Sequence, residues 1–233
     1  MGDHTVFQLP AWRPGRYILQ DYAAGVSHFD AGDTGGRRLA WRKTDVNSWR
    51  VENPPAGPIT VRYRFYANVM DAGSSVLNLE QAYFNGINLF MHVQDRFEAP
   101  CTLAVNGLPA DWKMAGSLRR SESESNLFHA DSYHDLVDAP TIFSPTLRTL
   151  HFEVDGVDYY VHLQGRFGAG AAGEAKIRED FPKIIREQAA IFGGVPLEAY
   201  HFVFQFVPQR MGHAVEHKYS SCYVLMDAFV DQA

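Results

Sequence analysis

Apolar and polar positions alternate with a period of two through much of the first half of the chain. In Thr60-Val-Arg-Tyr-Arg-Phe-Tyr-Ala67, residues Val61, Tyr63, Phe65 and Ala67 take one side and Arg62 and Arg64 the other, the pattern of a half-buried strand. Asn53-Pro-Pro-Ala-Gly-Pro58 before it is a connector, because proline removes ladder donors and fixes φ. Pro14-Gly15 and Asn106-Gly107 mark turns, the second between Thr102-Leu-Ala-Val105 and Trp112, and Ser121-Glu-Ser-Glu-Ser-Asn126 reads as an exposed polar loop. Together these predict a mainly β fold, an antiparallel β-sandwich over residues 1–139.

From residue 140 to 233 the period changes. Val157-Asp-Tyr-Tyr-Val-His-Leu163 reads as a strand, and Ile177, Phe181, Ile184, Ile185 and Phe192 then recur at helical spacing. Gly193-Gly194 supplies the stop, and Pro182 either lies in the first turn or kinks the helix. Tyr200-His-Phe-Val-Phe-Gln-Phe-Val207 is apolar at nearly every position and is expected to be a central strand, and Lys218 to Leu225 a last one. Strand, helix, strand, strand predicts the first mixed α/β layer of a second domain.

Composition narrows the function. The 21 basic residues are outnumbered by 27 acidic ones, a formal charge of −6, so no excess positive charge is available to meet phosphates and nucleic acid is excluded as a partner. No apolar run reaches the ~20 residues of a membrane helix, so no membrane partner is expected, and the residues after Met1 read as strand rather than as a leader. Two cysteines, Cys101 and Cys222, make no disulfide framework.

Several motifs carry chemistry in other contexts. Gly168-Ala-Gly-Ala-Ala-Gly173 is a literal Gly-x-Gly-x-x-Gly between strand and helix, but the acid expected ~20 residues on is absent, the count landing on Gln188; a flexible small-residue loop is the expectation. His213-Ala-Val-Glu216-His217 is a literal inverted zinc motif, His-x-x-Glu-His. Zinc needs both histidines on one helical face, whereas Gly212 before and the β-favouring Tyr219, Cys222, Tyr223 and Val224 after predict an extended chain. The readings left open are a zinc pair, a structural pair, and a strand edge whose carboxylate faces a substrate. His129, Asp131, His134, Asp135 and Asp138 fit a capped helical turn stopped by Pro140 better than a metal site. Ser220, Ser221 and Cys222 near His217 show no nucleophile elbow, and Trp12, Trp41, Trp49 and Trp112 are expected in packing rather than as a sugar platform.

Leu9-Pro-Ala-Trp-Arg-Pro-Gly-Arg-Tyr17, Asn47-Ser-Trp-Arg-Val51, Val61-Arg-Tyr-Arg-Phe-Tyr-Ala-Asn68, Tyr133-His-Asp-Leu-Val-Asp-Ala-Pro140, Tyr200-His-Phe-Val-Phe-Gln-Phe-Val-Pro208 and Gly212-His-Ala-Val-Glu-His217 follow in an order and spacing that resembles the glycyl aminopeptidase family of zinc metallopeptidases, which often carry a C-terminal PDZ domain. The resemblance runs from about Phe7 to about Ser221. It implies an N-terminal β-sandwich followed by the start of a thermolysin-like catalytic domain, and it assigns to Glu216, with His217 beside it, the binding of a peptide substrate's free α-amino group. Lys218-Tyr219 departs from the residue pair more usual after that histidine.

The family's zinc helix, a His-Glu-x-x-His with a later ligand Glu, is not found between Met1 and Ala233. The expectation is a fragment or truncated homologue: a non-catalytic N-terminal portion, with zinc a cofactor of the full-length family and no metal bound by this chain. Peptides with a free N-terminus are the expected partners of the full-length family. The last strand, left without its covering helices, is expected to expose its apolar face or pair with a second copy. A stand-alone β-sandwich module binding peptide or carbohydrate without hydrolysis is the alternative.

Overall fold

The computed structural model describes residues 3–13, 16 and 18–227. The Pro14-Gly15 turn and Tyr17 of the first family stretch lie outside these. The strands in chain order are β1 (His4–Gln8), β2 (Val26–Asp33), β3 (Trp41–Asp45), β4 (Ser48–Glu52), β5 (Ile59–Phe65), β6 (Val76–Leu77), β7 (Ala82–Phe84), β8 (His92–Val93) and β9 (Cys101–Ala104). They continue as β10 (Lys113–Gly116), β11 (Arg119–Arg120), β12 (Leu127–Ala130), β13 (Thr141–Ser144), β14 (Arg148–Val154), β15 (Val157–Gly165), β16 (Ala199–Val207), β17 (Gly212–Glu216) and β18 (Ser220–Met226). Among the described residues two α-helices join them, α1 (Tyr133–Val137) and α2 (Gly170–Phe192). The fold is mainly β, as the alternation predicts.

The chain forms two compact units. The first takes residues 1–68, 84–104 and 119–138. Its sheet β3-β4-β1-β8 and the ribbon β2-β5 face each other across one apolar core. Phe7, Leu9, Trp49 and Val51 meet Phe29, Ala31, Val61 and Tyr63 there, which is the sandwich arrangement. The alternation read in Thr60 to Phe65 is realised, with Val61 and Tyr63 turned to the core and Arg62 and Arg64 exposed. The stretches after Leu9 and after Asn47 hold each other: Asn47 Nδ2 donates to the Leu9 carbonyl at 2.7 Å, and Leu9 N–H to the Asn47 carbonyl at 3.0 Å. Trp49 is buried and stacks on Phe29 at 5.4 Å, while Trp41 meets Phe29 edge-on at 4.8 Å, so these two tryptophans serve packing as expected.

The aspartate- and histidine-rich stretch is the capped turn its sequence predicts. The Ser132 hydroxyl oxygen accepts from Asp135 N–H at 3.1 Å and its O–H donates to Asp135 Oδ2 at 2.8 Å. Asp131 pairs with Arg119 at 2.9 Å, and His134 stacks on Phe97 at 5.4 Å. The Ser132→Ala variant removes the cap and is expected to lower stability by about 1 kcal/mol, read as a shift in urea midpoint with unchanged slope.

The second unit takes residues 69–83, 105–118 and 139–233. Its main sheet has the order β14-β15-β16-β18-β17, with β16 in the middle, as the apolar run from Tyr200 predicts. β15, β16 and β18 run parallel; β14 and β17 are antiparallel borders. One face carries α2: Phe181, Ile177 and Ile185 pack on Leu150, Phe152, Val161, Phe202 and Phe206. Arg148 fixes the helix start through Glu174 at 2.6 Å, and Arg178 donates to the His151 carbonyl at 3.1 Å. The other face packs Val203, Val215, Cys222 and Val224 against Ala72, Val76, Tyr83, Ala115 and Ile142, partly from the smaller sheet β10-β13-β7-β6.

Three details depart from the sequence reading, and a fourth, the place of Pro182, decides between the two it left open. α2 starts at Gly170, so part of the glycine-rich stretch is helix rather than loop; a Cβ at Gly173 would sit 2.6 Å from the Phe167 ring, which explains the small residue without a nucleotide. Pro182 lies near the middle of α2, not in its first turn, where its missing N–H leaves the usual bond to the Arg178 carbonyl unmade. The Asn106-Gly107 turn exists, with Gly107 at φ +80°, but its flanking strands β9 and β10 enter different sheets. The last strand does not expose its apolar side: Cys222 and Val224 are fully buried against the same chain, and Leu225 packs beneath α2. The Gly193-Gly194 stop is as expected, with Gly193 left-handed at φ +78°.

Candidate functional site

The segment with the literal zinc pattern is a border strand. Among the described residues β17 pairs on one side only, antiparallel to β18, and His217 N–H donates to the Ser220 carbonyl at 2.8 Å to close the hairpin. Extended backbone sends alternate side chains to opposite faces. His213 and Val215 turn inward, Val215 into the core; Gly212, Ala214 and Glu216 are exposed. Residues 213 and 217 are therefore roughly 13 Å apart along the chain at ~3.3 Å per residue, too far to share one ion.

His213 also has a structural task. Its Nδ1 accepts the Ala72 N–H at 3.1 Å and stands 3.8 Å from Asp71 Oδ1, tying the 69–75 loop to the border strand. Among the described residues no three His, Cys, Asp or Glu side chains group to hold a metal. The donors present do not fit a zinc site. The His213→Ala variant is expected to cost about 1 kcal/mol by stranding the Ala72 N–H, and to leave metal content unchanged by elemental analysis.

Glu216 pairs across the ladder with Ser221, and Ser221 with Phe202, so its side chain stands on the face that carries α2. No hydrogen bond or ion pair holds its carboxylate among the described residues, which leaves its acceptor capacity for an outside donor. Burial raises the Tyr200 phenol above the ordinary tyrosine value. Lys218 folds over the Tyr219 ring at 4.7 Å. Ser220, Ser221 and Cys222 are buried.

The sheet assembles a second polar group that sequence reasoning missed. His162 Nε2 and His201 Nδ1 lie 3.0 Å apart, and His162 Nδ1 meets the Thr149 hydroxyl at 2.9 Å. Tyr160 and His151 extend the row, with ring centroids 4.9 Å from His201 to Tyr160 and 4.8 Å from Tyr160 to His151. Burial drives His162 down to about 3, His201's proximity adding to it, and burial alone takes His201 to about 4. Both rings are neutral at pH 7. The two histidines are far apart in sequence and meet only through strand register; the one signal was a histidine inside each of two apolar strands.

The Peptidase M61 N-terminal domain family matches residues 1–145, and the chain belongs to that family. This bears out the metallopeptidase resemblance read from the six sequence stretches. Among solved structures, an aminopeptidase N family protein from Idiomarina loihiensis superimposes with TM-score 0.89 at 26% identity, over 98% of this chain and 39% of that one. Legionella pneumophila aminopeptidase A, solved in complex with aspartic acid, matches with TM-score 0.53 at 11% identity over 95% of this chain and 26% of that one, a likeness of fold alone. No curated protein matches. This chain thus spans well under half the length of either solved relative. No helix among the described residues is long and apolar enough to cross a membrane.

Proposed function

We propose that this chain is the non-catalytic N-terminal portion of a zinc-dependent aminopeptidase of the glycyl aminopeptidase family, and that it grips the substrate's N-terminus. In this reading residues 1–139 are the sandwich domain, and residues 140–233 are the entry layer of a thermolysin-like domain. Zinc belongs to the full-length protein, with ligands other than His213 and His217.

One observation carries the reading: among the described residues Glu216 stands exposed and unpaired on a border strand whose outer edge is open. An extended peptide aligns along such an edge through backbone hydrogen bonds, and a carboxylate at its end takes the α-ammonium in a charge-assisted pair. His217 closes the turn beside Glu216 and fixes where the strand ends.

The test is an amide NMR titration of the chain with tri-alanine and with its N-acetylated form. Shifts along residues 212–216 for the free amine, absent for the acetylated peptide, are the expected result. Binding should also weaken as pH rises through the α-amine's pKa of about 8, because the ammonium is then lost. Equal shifts with both peptides, or none with either, overturn the proposal.

The open edge of β17 would also admit a second copy of the chain. Light scattering that shows association with rising concentration, suppressed by added peptide, is the outcome this pairing predicts; a strict monomer removes it.

A further inference from the structure

The reading of Glu216 as an amine clasp, on which this inference rests, also fixes where the rest of a bound peptide lies. An extended peptide antiparallel to β17, with its ammonium at Glu216, sets its first residue opposite Ala214, its second opposite His213 and its third opposite Gly212. Residues paired across an antiparallel ladder turn to the same face. The first and third side chains therefore join Gly212, Ala214 and Glu216 on the α2 face, and the second joins His213 and Val215 on the other.

The α2 face offers those two side chains an apolar shelf. Ala214 pairs with Tyr223 and Gly212 with Leu225, and these pair in turn with Phe204 and Phe206. Tyr223 stacks on Phe204 at 4.5 Å, and Leu225 packs on the cluster of Val161, Leu163 and Phe206. Both stay only half-buried although β18 is an inner strand, because the border strand beside them carries a methyl group at one position and no side chain at the other. The fold itself does not require that glycine: no described atom lies within 4 Å of a Cβ placed on Gly212, and its φ is outside the left-handed region. On the other face His213 stands beside Val224, which is fully buried, and leaves no such shelf for the second residue.

We propose that Gly212 is the floor and Leu225 the wall of a subsite for an apolar third residue of the peptide, so that the site selects free-amine peptides with a branched apolar side chain at that position. The peptide and β18 lie two strand spacings apart, about 10 Å, with β17 between them. Two leucines leaning towards each other over a glycine span that gap, and an alanine methyl does not reach. Each methylene so taken out of water strengthens binding about fourfold.

The test uses two tetrapeptide amides of equal composition and charge, Ala-Ala-Leu-Ala and Ala-Leu-Ala-Ala, each titrated into the 233-residue chain and followed by amide NMR. The native chain is expected to bind Ala-Ala-Leu-Ala more tightly by about fourfold or more. Gly212→Val puts a branched side chain on the floor, pointing into open space, and should bring the two affinities within about twofold of each other, with the dispersion of amide signals unchanged. Equal affinities in the native chain, or a preference that survives in Gly212→Val, overturn the inference; if Glu216→Gln still weakens both peptides, the clasp stands. If Glu216→Gln weakens neither, the clasp fails and the inference with it. Binding of neither peptide overturns both.

Discussion

Glu216→Gln is expected to weaken binding of a free-amine peptide by about 10- to 100-fold, the factor that corresponds to losing a hydrogen bond to a charged partner worth about 1.5–3 kcal/mol. Glutamine keeps the shape and one acceptor oxygen but not the charge, so the variant isolates the ionic part of the contact. Glu216 is exposed and unpaired among the described residues, so its replacement should leave stability within about 0.5 kcal/mol of native. The pairing of dissociation constants with urea midpoints checks both halves. An unchanged affinity would remove the charge from any part in recognition.

The second large effect is loss of stability in mild acid. His162 and His201 titrate at about 3 and about 4 in the folded chain, against about 6.5 when unfolded. Below pH 6.5 the unfolded chain therefore binds more protons than the folded one, and stability falls as pH drops towards 4, flattening below 3. Above pH 6.5 both states hold neutral rings and this contribution is constant. At pH 5 each histidine costs about 2 kcal/mol relative to pH 7. Urea unfolding of the native chain at pH 7 and pH 5 measures the sum. In His162→Gln the difference between the two pH values should shrink by about 2 kcal/mol, whatever the substitution costs at pH 7. A difference as large as native would show that the acid loss arises elsewhere.

How much the sequence revealed followed how local the information was. Period two in Thr60 to Phe65, helical spacing from Ile177 to Phe192, the Ser132 cap and the Gly193 stop each depend on neighbours within one turn or one strand, and each is realised. The glycine-rich stretch misled because small residues look flexible in isolation; Gly173 is small because the Phe167 ring lies against it. The hairpin of β17 and β18 read as one last strand because its turn, Lys218-Tyr219, carries no glycine or proline to mark it. The extended state of His213 to Glu216 was legible from its β-favouring surroundings. The His162–His201 contact was not, since register between parallel strands is set by their packing and by the helix that joins them.

The most direct measurement is where a bound peptide's first residue lies. Nuclear Overhauser contacts between the N-terminal methyl of tri-alanine and the labelled chain should fall on Ala214, Ser221 and Tyr223, the side chains around Glu216 on the α2 face. Contacts with the opposite face of the sheet, around Val215 and Cys222, or with the first unit, would contradict the account.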